Sequence, residues 1–548
     1  MFHGSRTIAC RHAGFYAEEY NVYFRPERQP LTRKRALIAC AALLLGATPL
    51  HAFELYDADG VLLRWDNDLS YSAGVRVESP NTLALGYPNS DDGDRDFAPG
   101  LMMNRFDLNS VLDLTGDDFG AQLSVEAWYD AVYQRRTANT SPATYNPSVP
   151  SSQFAPATVN LDGQYADLGD TFVYGNLTLS GVPLSMRLGR QTLLWGESLF
   201  FSEDGIAAGM APIDYIKRTS TPDGYSRDVF LPVDQFSFTA QIQPDLSLAA
   251  YYQLEWRPDR LPGVGSYFSD SDVEGASAYR AFLGQGQFLL HDPDRKAPDS
   301  GQYGVSLRET IGDFDLGLYA LRFNAKYPVL QVQTAAPPLP SGYAGTFESV
   351  YPSGTDLYGF SFSTYVGDSN VAGEISGRRN MPLVSSSPIS LTLLRPLGDN
   401  YGYAMGDTLH AQLSSVTTLG PTDFWNSADL SSEIAANNVL DVTRNPEAFD
   451  SNRTRFASSF RVLFQPHYFQ VLPNLDVTPL VSLGYDFSGR SATDYTEEDD
   501  AGDAEFGVSA TYLSVWKADV TFTSFFGPPY RQPLADRDFV MLSLERAF

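Results

Sequence analysis

The chain has 548 residues and a formal net charge of −28, long enough for one large core or several ordinary domains. Apolar residues make up 43%, charged residues only 19% and aromatics 13%, a composition short of charge for a soluble protein of this size. The acidic balance argues against nucleic-acid binding, which needs a basic footprint.

The first feature along the chain is an apolar run from Ala36 to Ala47, directly behind Arg33, Lys34 and Arg35. It is too short for a membrane-spanning helix, which takes roughly 18 apolar residues, and no later run reaches that length. The basic start, the short apolar core and Ala52 ahead of Phe53 read as a secretory signal peptide cleaved after Ala52. That signal starts near Leu31, and residues 1–31 read as an over-called start. Cys10 and Cys40 both fall in this segment, so the expected mature chain, 53–548, has no cysteine and no disulfide. The stretch LeuIleAlaCys at 37–40 has the outline of a lipoprotein box, but the apolar run follows the cysteine instead of preceding it. Segment 1–52 holds seven Lys/Arg and three Asp/Glu, so removing its +4 from −28 leaves −32 on 53–548.

Beyond it, periodicity takes over. From Phe119 to Tyr133, the residues Phe119, Ala121, Leu123, Val125, Ala127, Tyr129, Ala131 and Tyr133 share one parity, while Gln122, Ser124, Glu126, Trp128 and Asp130 share the other. A period of two held this long exceeds the about five or six residues of an ordinary strand. Phe106, Leu108, Leu112 and Leu114 alternate in the same way just upstream, and ThrGlyAspAsp at 115–118 joins the two runs into a long amphipathic hairpin. The unit recurs. Tight connectors stand near 180–183, 243–245, 311–313, 366–370, 419–422, 464–467 and 513–517. Longer polar stretches separate them, near 80–100, 136–165, 199–232, 257–301, 327–354, 382–403, 436–452, 488–502 and 527–537.

Counting between connections predicts eighteen strands, starting near Val61, Leu101, Phe119, Asp170, Leu184, Val233, Leu246, Gln302, Phe314, Thr355, Val371, Ala404, Asp423, Arg453, Leu475, Asp503, Ala518 and Asp538. In a bilayer every backbone N–H and C=O must be paired within the protein, so strands cross only as a closed barrel. Apolar-out, polar-in alternation, short periplasmic turns and long outer loops are the marks of such a barrel. The expectation is therefore an all-β, transmembrane, antiparallel up-and-down barrel of about eighteen strands, filling 53–548 as one domain in the outer membrane of a Gram-negative cell.

FELYDADG at 53–60, LSYSAGVRVESP at 69–80, PLSMRLGRQTLLWGES at 183–198, LPVDQFSF at 231–238, YYQLEWRPDRLPGVGSYFSDSD at 251–272 and RDFV at 537–540 together resemble the proteobacterial family catalogued as domain of unknown function 1302 (DUF1302). GlyIleAlaAlaGlyMetAlaProIleAsp at 205–214 departs from the Asn-rich form of that loop. The resemblance implies an outer-membrane barrel encoded beside an inner-membrane exporter of the resistance-nodulation-division type and a periplasmic lipid-carrier-like protein. It implies traffic in hydrophobic molecules and brings no catalytic residues.

A barrel this wide is not filled by side chains alone, so function is sought on its inner face. Parity places Arg105, Asp107, Glu126, Trp128 and Asp130 there, and opposed charges on a pore wall set a transverse field that orients solutes. In LeuSerMetArgLeuGlyArgGln at 184–191, Arg190 shares parity with Leu184, Met186 and Leu188, which puts a guanidinium in lipid. A bulge at Gly189 would flip the register and turn both Arg187 and Arg190 inward. His410 is the one histidine of 53–548 expected inside a strand, with His291 in an outer loop and His467 in a tight turn. It reads as a hydrogen-bonded lumen residue and not as the base of a hydrolase, since no seryl motif accompanies it. Neither a cofactor nor a metal ligand set is expected. The acidic runs at 91–96, 269–274 and 497–500 read as solvated outer-loop surface without the spacing of an EF-hand. Loops 199–232 and 257–301 are candidates to fold inward, with Met210–Ile213 and Leu261–Gly265 as an apolar constriction or a hydrophobic entry site.

The chain ends on Phe548, the terminal aromatic read by the outer-membrane assembly machinery, and its strand is expected to close on the first strand near Leu63 and Trp65. Arg546 lies on the lipid face at the periplasmic boundary, where its stem can snorkel. The functional expectation is a passive conduit for small hydrophobic or amphipathic compounds, in contact with outer-membrane lipid and lipopolysaccharide. The rivals are a general diffusion porin for small polar solutes and a non-conducting surface or adhesin barrel.

Overall fold

The alternating runs become strands because each buries one parity only when its backbone is paired on both edges. The structure is a computed structural model and describes residues 53–58, 60–221, 229–275, 277–334, 342–386 and 402–548. The predicted signal segment, its cleavage after Ala52, and Cys10 and Cys40 lie outside these residues.

A short strand, β1 (Phe53–Ala58), leads into β2 (Val61–Arg76), β3 (Gly100–Thr115), β4 (Phe119–Asp130), β5 (Gln164–Leu179), β6 (Val182–Gln191), β7 (Val233–Gln243) and β8 (Leu246–Gln253). Two short strands follow, β9 (Arg280–Gly284) and β10 (Gln287–His291), then β11 (Tyr303–Ile311) and β12 (Phe314–Phe323). After β13 (Val329–Thr334) and β14 (Tyr343–Val350) come β15 (Thr355–Val366), β16 (Ser369–Pro382), β17 (Met405–Leu419) and β18 (Ser427–Arg444). The chain finishes with β19 (Phe456–Leu472), β20 (Leu475–Ser488), β21 (Ala501–Tyr512), β22 (Trp516–Phe526) and β23 (Phe539–Ala547).

Leaving aside β1, β9, β10, β13 and β14, the remaining eighteen strands pair antiparallel with their neighbours and close through β2 and β23. Each predicted start lies within six residues of an observed one. The largest offset is at β5, whose register against β4 shifts between Leu123 and Val125, where LeuGlyAsp at 168–170 interrupts the alternation. Short turns join the strands at one end and long loops at the other. The outer face is apolar, with Leu188, Leu318 and Val520 each at least half exposed. In water such a band would be a liability, and in a bilayer it is the surface that a transmembrane barrel presents.

Several boundaries differ from the sequence reading. Phe548 exchanges backbone hydrogen bonds with Asn67, at 2.7 and 2.8 Å, and not with Leu63 or Trp65. Those two pair with β1 and β3 instead, because the Phe53–Ala58 hairpin takes up the lower end of β2. Arg546 does face outward, but it is only 4% exposed. Trp516 and Phe548 cover its guanidinium, with ring centroids 5.1 and 5.9 Å away, so aromatic faces shield it from lipid. PheGlnProHis at 464–467 is strand, not turn. The turn falls after Leu472, and His467 hydrogen-bonds Asp429 at 2.9 Å and Thr478 at 3.0 Å from the barrel wall. β18 runs on to Arg444, into residues expected to be loop from 436.

Two of the long loops build a sheet of their own, ordered β13, β14, β10, β9, with β10 and β14 parallel. His291, expected in a loop, ends β10. Val264, Ala281, Leu289, Val332 and Phe347 form the small core of this loop layer.

Candidate functional site

An eighteen-stranded barrel needs something besides side chains inside it. Here that is the loop after β6, of which residues 192–221 and 229–232 are described. The TrpGlyGluSer stretch shows how it turns in. Trp195 packs among Ile206, Met210, Tyr251 and Tyr319, with its ring 5.2 Å from that of Tyr251. Gly196 has φ +96, and a Cβ there would sit 2.3 Å from Glu374 Oε2. Only glycine tolerates both that backbone and that approach.

Two carboxylates on the wall then hold the loop backbone. Glu374 of β16 accepts from Glu197 N (2.6 Å) and Ile206 N (2.7 Å). Glu433 of β18 accepts from Leu199 N, Phe200 N and Phe201 N. Such charge-assisted bonds are stronger than neutral ones. Arg378 donates to the carbonyls of Glu203 and Gly205, both at 3.0 Å. His410 Nδ1 lies 2.6 Å from Asp204 Oδ1 and its Nε2 lies 2.9 Å from Thr408 Oγ1. Asn437 donates to Asp204 at 3.2 Å.

The loop continues to the opposite wall. Asp214 caps a short helix, Tyr215–Ser220, by accepting from Lys217 N at 3.1 Å. Lys217 Nζ reaches Glu126 of β4 (2.8 Å) and Arg105 of β3 reaches Ser220 Oγ (2.9 Å). Trp128 meets two guanidinium groups, Arg105 at 4.2 Å and Arg260 at 4.4 Å from the ring centroid, and stacks on Tyr165 at 4.5 Å. Arg260 in turn binds Asp214, Nε to Oδ1 at 3.0 Å. β3 and β4 are the second and third strands of the barrel and β16 to β18 the eleventh to thirteenth, so the loop crosses from one side of the lumen to the other.

The helix separates two chambers. Below it, toward the short turns, a cavity of about 380 Å³ is lined by Asp68, Asp107, Glu126, Lys217, Lys517 and Glu545. Toward the long loops, a second cavity of about 380 Å³ lies against the inner wall of β19 to β22. Its lining mixes rings (Tyr215, Phe268, Tyr327, Tyr495) with charged groups (Arg218, Arg453, Glu274, Asp494). Tyr327 stacks on Tyr495 at 5.5 Å and meets Tyr215 edge-on at 6.2 Å.

The residues singled out from the sequence separate accordingly. Arg105, Asp107, Glu126, Trp128 and Asp130 all face inward, with Asp107 and Glu126 bordering the lower chamber. Arg105, Trp128 and Asp130 are buried, the first two beneath the crossing loop. Asp130 accepts from Asn104 N and Val132 N, closing the top of β4. Arg187 faces inward over the Phe172 ring at 5.1 Å. Arg190 does not. Pairing runs unbroken through Gly189 on both sides, Phe172↔Gly189 and Gly189↔Gln235, so the expected bulge is absent. Arg190 stays on the outward parity near the loop end, among Asp167 (3.3 Å), Glu255 (3.4 Å) and Asp234 (3.7 Å). Those carboxylates remove the need for a register flip. Gly189 is required instead by φ +131 and by Phe172, whose Cα would lie 2.8 Å from a Cβ there.

The acidic runs are solvated only in part: Asp270 and Asp500 are exposed, but most of the first run is not. Asp91, Asp92, Asp94, Asp96 and Asp272 are 0–4% exposed, and Glu497 and Glu498 are also buried. Sequence reasoning also missed Glu374, Glu433, Asp204 and Asp214. A signal existed for the first two: AlaGlyGluIleSer at 372–376 and SerSerGluIleAla at 431–435 each set one carboxylate on the inward parity between small residues, which leave room for an incoming backbone.

Fold and site together define a transmembrane barrel of eighteen strands with a loop across its lumen. The chain belongs to the family described as "Protein of unknown function (DUF1302)", which matches residues 33–548. No curated protein sequence matches it. Among solved structures, Acinetobacter baumannii OccAB4 is similar at 10% identity and TM-score 0.43, over 91% of this chain and 100% of that one. OccAB3 of the same organism is similar at 11% identity and TM-score 0.43 (89% and 99% covered), and Pseudomonas aeruginosa OccK1 (OpdK) at 11% and 0.40 (89% and 98%).

Proposed function

We propose that the protein is a passive outer-membrane channel, restricted by its crossing loop, for small amphipathic compounds that carry a polar or charged group. The observation that carries this reading is the pair of chambers on either side of the Tyr215–Ser220 helix. A general diffusion porin needs no loop clamped to both walls, and an inert adhesin barrel needs no chambers. Rings beside carboxylates and guanidinium groups suit a molecule with one flat apolar face and one polar end. A hydrolytic role finds no support at His410, because Thr408, His410 and Asp204 are all at most 3% exposed and no substrate reaches them. Outer-membrane lipid and lipopolysaccharide surround the barrel in this reading, Phe548 addresses the assembly machinery, and an inner-membrane exporter is the partner that the family resemblance brings.

Flux from proteoliposomes separates the alternatives. A small aromatic carboxylate is expected to cross saturably and faster than a sugar of equal size. Equal permeation scaled only by size would favour the diffusion porin, and no flux of either would favour the non-conducting barrel.

The upper chamber also predicts a pH effect on the loops that form it. Burial, then the nearby Asp270, pushes Glu274 up to about 7. Burial, then Glu203, does the same to Asp494. Both folded values lie above the unfolded ones, so the stability they contribute is present below about pH 4 and lost as pH rises through 7. Proteolysis within 254–275 and 489–500, normalised to a free peptide substrate, should be faster at pH 8 than at pH 5.5. The double variant Glu274→Gln, Asp494→Asn should flatten that difference.

A further inference from the structure

Around the loop after β2, carboxylates gather without enough cations to match them. Carboxylate oxygens of Asp91, Asp92 and Asp272 lie within 4.8 Å of one another. These three residues have no solvent exposure. Three guanidinium groups serve the neighbouring acids: Arg95 bonds Asp91 (2.6 Å), Arg537 bonds Asp94 (2.7 Å), and Arg76 bonds Asp536 (3.1 Å). Asp92, Asp96 and Asp272 take part in none of the ion pairs among the described residues. Asp92 accepts only from Asn139 Nδ2 and Asn146 N, and Asp272 accepts from Asp92 N.

A second observation points to a ligand. Asp96, outside that trio and 4% exposed, has no hydrogen-bond partner on either carboxylate oxygen. Its carboxyl lies beside Asn139, which also donates to Asp92, and feels the charges of Asp272 and Asp91. Asp91 Oδ1, Asp272 Oδ1 and the amide oxygen of Asn146 are likewise without partners. Buried carboxylates in this number are stable only when protonated or when a cation sits among them. We infer that Asp91, Asp92 and Asp272, with the Asn146 amide oxygen, form a binding site for one calcium-sized divalent cation, and that Asp96 flanks it.

The ligand set is all oxygen, as hard cations require, and it is assembled by protein groups with little place for retained water, which favours calcium over magnesium. The ligands come from three loops, those after β2, β4 and β8, and Asp94 and Arg537 tie in a fourth, before β23. A bound ion would fasten the loop layer on this side of the mouth.

The test is calorimetric titration of the folded, EDTA-stripped protein in detergent with calcium chloride, and separately with magnesium chloride. The expected result is one calcium ion per chain, at least tenfold weaker magnesium binding, and slower proteolysis of 77–99 and 254–275 once calcium is added. Asp92→Asn with Asp272→Asn should abolish binding. Without calcium this variant should resist proteolysis at least as well as the stripped wild type, because two repelling charges are gone, and that resistance shows it is folded. No calcium binding at millimolar concentration, equal binding of magnesium, or unchanged binding in a folded double variant would overturn the site.

Discussion

Replacing Glu374 and Glu433 together by alanine is expected to release residues 197–206 from the barrel wall while the barrel stays closed. Five backbone N–H groups lose their acceptors in that variant. The eighteen-strand ladder involves neither carboxylate and keeps all its bonds. Leaving buried N–H donors without acceptors costs about 1–3 kcal/mol each, or about 3–5 kcal/mol for the set once the released groups regain water. The Asp204–His410 and Arg378 contacts remain, so the lower end, about 3 kcal/mol, is the appropriate figure, or a rise of roughly a hundredfold in the open population of the loop. Hydrogen exchange at Leu199, Phe200 and Ile206 should report it, with strand amides unchanged. Substituting only His410 by glutamine should have a much smaller effect, because the five N–H bonds to the wall persist.

The second large effect is expected at Arg537. Its guanidinium is fully buried, binds Asp94 at 2.7 Å and donates to the carbonyls of Tyr267 (2.8 Å) and Ser269. Arg537→Ala leaves two carbonyls without donors and Asp94 with Arg76 alone, at 3.5 Å. A buried carboxylate that loses its main partner costs about 3–5 kcal/mol. The loops after β2 and β8 should lose their fixed arrangement, seen as faster proteolysis in 77–99 and 254–275, while the heat resistance of the barrel itself is unchanged. Arg537→Lys should not rescue them, since an ammonium cannot span a carboxylate and two carbonyls in a planar fork. Full protection in the lysine variant would show that charge alone is what matters there.

How far the sequence carried these conclusions differs from layer to layer. The wall was legible because lipid on one side and water on the other enforce a period of two over many residues, as in Phe119–Asp130. Exact ends were less so. β18 continues past 436 because Asn437 and Val439 keep facing inward against loop residues, and that context has no local signature. β9, β10, β13 and β14 were missed because strands of five to eight residues within a loop layer alternate too briefly to stand out. At Arg190 the sequence reading assumed that an outward guanidinium faces bare lipid. Asp167, Asp234 and Glu255 come from three other places in the chain, and the pairing of β6 with β5 and β7 brings them to it. The acidic runs failed for the same reason. A run of aspartates looks solvated until loops from elsewhere close over it.

The inward folding of the loop after β6 was anticipated from Met210–Ile213, but its anchorage was not. Glu374 and Glu433 lie some 170 or more residues from the N–H groups they bind, with separations of 168 to 234 along the chain. Parity puts them in the lumen and cannot say what they meet there.

The most direct measurement of whether this loop sets the channel is single-channel conductance in planar bilayers, wild type against Glu374→Ala, Glu433→Ala. Obstruction by a clamped loop predicts a small, quiet conductance for the wild type and a several-fold larger, flickering one for the variant. Equal conductance in both, with the variant's loop shown by hydrogen exchange to be released, would contradict it.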